Sequence, residues 1–223
     1  MNLRSQQPSV TSSEKAQYDQ TQGANQKGDK PTLQDRSFRR TNLQEAYLWE
    51  ANFEDAYLRE ANFQDAYLWE VNLQNTYLLE ANFRGAYLGK ANFREAHLWE
   101  ANLQNTYLGR ANFQEADLWQ ADLQSAYLGW ANFQGAVLTN VNFKGAILLA
   151  TDLTCVIDLD MRQLEGEQAP YLCAAKLPDG VDIDPNRDRD QLPQILVEHY
   201  PFWYQTLEEA QAHVNSIMLR RHS

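Results

Sequence analysis

The chain has 223 residues, 43% of them hydrophobic, enough for one ordinary domain or one long single-core body with appendages. Nothing in it approaches the roughly 18 consecutive apolar residues of a membrane span, and residues 1–30 hold no apolar stretch fit for a signal peptide, so a cytoplasmic protein with no membrane partner is expected. Nineteen Lys plus Arg against 30 Asp plus Glu leave a formal charge of −11, which argues against direct nucleic-acid binding. Two cysteines, Cys155 and Cys173, are too few for a disulfide framework or a zinc site.

Residues 1–30 are polar, rich in Gln, Ser, Lys and Gly, and read as a disordered N-terminal tail. A different regime begins at 31. Written in fives, residues 41–155 form 23 pentapeptides without an insertion; the third position is always Leu or Phe, and the first is Ala in 17. First and third positions of an extended segment point to one side, so they form a core, and the other three face solvent. A helix cannot do this, because a period of five drifts around a 3.6-residue turn. A continuous strand cannot either, since the alternation breaks once per pentapeptide. Short extended segments joined by corners remain, which is a solenoid.

A second period of ten lies over the first. Second positions alternate between Asn or Asp and mainly Tyr, and the alternate units all carry Leu at the third. Stacking like on like requires an even number of sides, and four sides of five residues leave room for a packed interior. The expected core includes Leu48, Phe53, Leu58, Phe63, Leu68, Phe83, Leu88, Phe93, Leu98, Phe113, Leu118, Phe133, Leu138 and Phe143. This array resembles the pentapeptide-repeat family, whose motif is A-(D/N)-L-x-x. The resemblance implies an all-β solenoid: a four-sided right-handed parallel β-helix over residues 31–155, with about six coils, the hand being carried over from the family.

Residues 156–223 break the frame and are expected to form a small, mainly helical C-terminal cap. A short helix is expected from Asp158 or Asp160 to Gly166 or Pro170, another at 191–199, and a third from Thr206, where Thr206 and Glu209 make a capping box. The aromatic run Tyr200, Phe202, Trp203 and Tyr204 is expected to plug the last coil, with outward-facing Val137, Ile147 and Leu149 turned apolar beneath it. The alternative use of the last helix is a homodimer through 206–221.

Three outward columns compete for a role. Stacked Asn side chains are expected to bond one another and the corner backbone. Tyr47, Tyr67, Tyr87, Tyr107 and Tyr127, with Trp49 and Trp69 beside the first two, stabilise by stacking and also make a candidate binding face for an unidentified protein partner. Columns such as Glu60, Glu80 and Glu100 are expected to be a solvated surface. No catalytic arrangement, metal cluster or cofactor loop is legible, so a non-enzymatic interaction scaffold is expected. The alternatives are an acidic DNA mimic that binds a type II topoisomerase, which some family members are, and a structural spacer.

Overall fold

The computed structural model describes residues 33–201 and 203–220; the expected N-terminal tail, Phe202 and the last three residues lie outside this range. Second-position residues pair in parallel with those 20 further on, in four separate columns. Face 1 runs Ser37, Tyr57, Tyr77, His97, Asp117, Val137, Ile157, and face 2 runs Asn42, Asn62, Asn82, Asn102, Asp122, Asn142. On face 3 stand Tyr47, Tyr67, Tyr87, Tyr107, Tyr127 and Ile147; on face 4 stand Asn52, Asn72, Asn92, Asn112, Asn132 and Asp152. Four faces of five residues close one coil, and the chain climbs one strand spacing per coil.

The interior is the set of first and third positions. Every expected core residue is buried except Leu48, which is half-buried because it belongs to the first described coil. Phe93, Phe113 and Phe133 stack at 4.8 and 4.7 Å, while Phe53 meets Phe63 and Phe83 meets Phe93 edge to face. Thr76 and Thr106 stand where Ala is usual, and each returns its hydroxyl proton to the carbonyl three residues back, at 2.6 and 2.7 Å. That bond is what lets a hydroxyl be buried here.

Corners follow from the backbone. The first-position N–H closes a turn on the preceding third-position carbonyl, as Ala46 does on Leu43 at 3.1 Å. Every fifth-position residue from Asp35 to Cys155 has positive φ, between about 53° and 72°. Only Gly85, Gly135 and Gly145 adopt it without a Cβ penalty; each of the others gives up roughly 1 kcal/mol or more. The inter-coil ladder over-determines the conformation. Leu43 N–H reaches Asn62 O at 2.7 Å and Glu45 N–H reaches Gln64 O at 2.9 Å, a pattern repeated up the rod.

Asparagine at the second position serves the one remaining N–H. Asn42 Oδ1 accepts the Gln44 N–H at 3.2 Å and also the Asn62 amide at 3.1 Å; Asn62 in turn accepts from Gln64 and Asn82. Face 4 repeats this through Asn52, Asn72, Asn92 and Asn112. The expected amide ladder is therefore present, and its role is to satisfy the corners.

Periodicity ends with β1 (Ile147–Leu149), which pairs with β2 (Tyr171–Cys173) at an offset of 24 rather than 20. The added residues hold a 3-10 turn at Met161–Gln163, capped by Asp160 and Gln163 in a capping box, where a longer helix was expected. Arg162 holds the exposed Asp160 carboxyl down at about 2. Val156, Leu159, Leu164, Leu172, Ala175, Leu177 and Ile183 close over the last coil's interior. Two helices follow: α1 (Leu192–His199) and α2 (Leu207–Arg220), the latter entered through reciprocal bonds between Thr206 and Glu209 at 3.2 Å. Neither is long and apolar enough to cross a membrane.

Candidate interaction surface

Side chains on face 3 stack as their spacing demands. Tyr47 on Tyr67 and Tyr67 on Tyr87 have centroids 4.5 and 5.0 Å apart and nearly parallel rings, and Tyr107 on Tyr127 repeats this at 4.9 Å. Such pairs contribute on the order of 1 kcal/mol each beyond the area they bury. The neighbouring glycines are room for rings. A Cβ on Gly89 would sit 2.2 Å from the Trp69 ring, and one on Gly129 would sit 2.5–2.8 Å from three atoms of Tyr127.

The C-terminal segment lies along this face. Tyr107 and Tyr127 are 8% and 1% exposed, and they share a second apolar cluster with Ile147, Leu149, Leu192, Ile195, Leu196, Tyr204, Ala210, Val214 and Ile217. Trp203 stacks on Tyr107 at 4.6 Å and on Trp69 at 6.0 Å. Tyr200 donates its hydroxyl to Ser125 O at 2.8 Å, and the Tyr127 and Tyr204 hydroxyls are 3.4 Å apart. Burial raises the Tyr107, Tyr127 and Tyr200 phenols far above their ordinary range and pushes Tyr204 up to about 12.

Two expectations are corrected by this placement. The described aromatics of the 200–204 run do not plug the last coil; they cover a side of the rod, because the outward column of Tyr107, Tyr127, Ile147 and Leu149 is apolar there, and residues 156–183 close the end instead. Tyr107 and Tyr127 cannot belong to an open binding face, since the chain's own tail occupies them. Tyr47, Trp49, Tyr67, Trp69 and Tyr87 remain half-buried. On α2, Ala210, Val214 and Ile217 are buried against the rod, while Leu207 and Leu219 are exposed.

Face 1, opposite, holds a second aromatic column. Tyr57, Tyr77 and His97 stack at 4.9 Å, and Trp99 meets Trp119 edge to face at 6.3 Å. Tyr57, Tyr77 and Trp99 are 49%, 38% and 41% exposed. The signal was present in the sequence: Tyr57 and Tyr77 stand 20 apart, as do Trp99 and Trp119.

Acidic columns carry their own counter-charges. Glu60 pairs with Arg40 at 2.6 Å and with Arg59, which also reaches Glu80 at 2.9 Å; Arg94 bridges Glu95 and Glu115, and Lys90 pairs with Glu70. Hydrogen bonding to Arg40 lowers Glu60 below the usual carboxylate range. Two open clefts, about 590 and 720 Å³, flank the 160–169 loop, but Arg187 beside the first is held by Asp188 and by the Leu164 and Pro170 carbonyls. Among the described residues no group of three or more His, Cys, Asp or Glu is placed to hold a metal ion. Cys155 is exposed, and buried Cys173 lies 3.8 Å from the Met218 sulfur.

The sequence profile described as "Pentapeptide repeats" matches in eight copies across residues 37–68, 61–99, 91–128 and 121–156. No curated protein gives a sequence match. Among solved structures, full-length QnrB1, a plasmid-mediated fluoroquinolone resistance protein, is 18% identical over 66% of this chain and 84% of its own, with a TM-score of 0.36. HetL, involved in heterocyst differentiation regulation in the cyanobacterium Nostoc, is 23% identical over 73% of this chain and 96% of its own, with a TM-score of 0.30. A second Nostoc pentapeptide-repeat protein is 28% identical over 52% of this chain and 84% of its own, at 0.26. With the profile covering more than half of its residues, the chain belongs to the pentapeptide-repeat family, whose members fold as right-handed quadrilateral β-helices and are generally structural or binding proteins.

Proposed function

We propose that the protein is a non-enzymatic scaffold for protein–protein contact: a rod of about six coils, closed at its end by residues 156–183 and stiffened along face 3 by α1 and α2. The observation that carries the reading is the division of the aromatic columns. One is largely consumed by the chain's own tail, and the other presents Tyr57, Tyr77 and Trp99 to solvent on a rigid backbone. Tyr and Trp supply large contact area at little cost in side-chain entropy, which suits them to binding.

Paired acidic columns count against the topoisomerase-binding alternative, since a duplex mimic needs unneutralised charge at phosphate-like spacing, and Arg40, Arg59 and Arg94 interrupt it. Two measurements test these readings. Immobilised full-length protein should retain a specific partner from a cell extract, and failure to retain any protein above a bare-resin control refutes the scaffold. Inhibition of gyrase supercoiling by micromolar protein would restore the mimic.

A further inference from the structure

From the charges around the open aromatic column we infer that face 1 is a docking track for a basic segment of another protein, a stretch in which Arg or Lys alternates with apolar or aromatic residues. This names the partner chemistry for the scaffold reading above and rests on it.

Both edges of the track are acidic. The corner after the face carries Glu60, Glu80 and Glu100, and the corner before it carries Asp55, Glu95 and Glu115. With Asp117 in the track itself and Asp35 at the first corner, eight carboxylates stand against five arginines of the same coils, Arg36, Arg39, Arg40, Arg59 and Arg94. Glu60 and Glu80 share Arg40 and Arg59, Glu95 and Glu115 share Arg94, and Asp35, Asp55, Glu100 and Asp117 lie outside these pairs. Between the edges run Tyr57, Tyr77, His97 and Trp99, an apolar strip between two rows of partly neutralised carboxylates that keep a negative excess. A guanidinium laid across this strip would meet a carboxylate at the edge and a ring face at the centre.

The molecule shows both halves of that recognition within itself. Its indoles take cations: Lys90 sits 5.7 Å above Trp69, and the Arg110 guanidinium 5.4 Å from Trp130. Its aromatic columns take chain segments, as face 3 takes α1, Trp203 and α2. The corners beside the covering segment, from Trp69 upward, are of mixed sign: Asp65 and Glu70 at the lower end, then Gly85, Lys90, Asn105, Arg110 and Ser125, with Lys90 paired to Glu70. Apolar contact holds the tail on face 3; the open column of face 1 adds to such contact an excess of carboxylates, which selects a segment of opposite sign for it.

The test uses the full-length chain and a short fluorescein-labelled peptide alternating Arg with Leu and Tyr, beside the same peptide with Glu for Arg, read by fluorescence anisotropy. The Arg peptide should bind with salt-sensitive affinity, and the Glu peptide at least about tenfold more weakly. Glu80→Lys with Glu100→Lys should weaken the Arg peptide about tenfold, and so should Tyr77→Ser with Trp99→Ser, while Gln134→Ala on face 4 leaves it unchanged. The lysine pair alters only exposed corner side chains, so it tests the track even if the serine pair melts early.

Equal binding of both peptides overturns the inference, as does loss with the lysine pair but none with a folded serine pair, which is bare charge attraction. Self-association of the unliganded protein that Trp99→Ser abolishes would assign the face to a second copy and also overturn it. If the immobilised protein retains a partner that both variants still hold, the scaffold stands and this track falls. If neither peptide nor extract protein binds, both fall.

Discussion

Gly129→Ala is the most direct probe of how the tail is held. The new methyl carbon would lie 2.5 Å from Tyr127 Oη, 2.6 Å from Cζ and 2.8 Å from Cε1, where ordinary carbon contacts are about 3.5–4 Å. The ring must therefore move by about 1 Å. It has little freedom to do so, being 1% exposed, stacked on Tyr107 at 4.9 Å and met edge-on by Tyr200 at 5.4 Å. Overpacking of this kind costs about 1–3 kcal/mol. Gly129 has no positive φ, so the backbone accepts alanine and the whole penalty comes from the ring. The cost should fall on the tail, because the rod interior beneath, at Leu128, is untouched. Limited proteolysis within 186–206, with tryptophan fluorescence of Trp130 and Trp203, should show the tail released at lower denaturant while the far-UV signal of the rod melts later. If Gly129→Ala matches the parent within about 0.5 kcal/mol in both phases, the glycine is not there to seat the tyrosine and the packing argument is wrong.

Further outcomes follow from the same geometry. Tyr204 has its pKa raised by burial to about 12 from an ordinary value near 10, so its contribution to tail attachment is complete below pH 10 and is lost as pH rises through 12; tyrosinate absorbance should appear together with exposure of Trp203, and ionisation with the tail still seated would contradict this. Gln120 stands at a corner with φ of 54°: Gln120→Gly should be neutral or stabilising by up to about 1 kcal/mol, and Gln120→Val destabilising by about 2, in thermal melts. Asn92→Ala removes bonds to Asn72, Asn112 and the Arg94 N–H and should cost about 1–3 kcal/mol in urea titration, while Asn92→Asp, like natural Asp122, keeps the acceptors and should cost less.

The frame of the rod was legible because two positions in five carry the core without interruption, and a count of residues assigns every one of them. The Thr206–Glu209 cap was legible for the same local reason. The left-handed corner was missed, although Gly85, Gly135 and Gly145 all stand at the fifth position and state its requirement. Where the tail settles was also missed. Local preference sets where α1 and α2 begin, but their resting place depends on which column offers matching apolar area. By their apolar character alone Ile147 and Leu149 point to the rod's end, whereas their second- and fourth-position places, one coil beyond Tyr127 and Gly129, mark a flank. Face 1 reads as mixed in the sequence because His97, Asp117 and Val137 follow Tyr57 and Tyr77, and the stacking distances and exposures reveal the strip.

The 20-residue closure has a consequence for how such an array can change length. Each added pentapeptide turns everything before it by a quarter revolution about the rod axis. The tail grips points as far apart as Trp69 and Leu149, all on one flank. Between those points the array tolerates gain or loss only in whole revolutions of four units, because any other number would aim Trp69 away from Trp203. Ahead of Trp69 the tail imposes no such phase, and units can come or go singly with respect to it. Angular bookkeeping, more than interior packing, decides where this rod can grow.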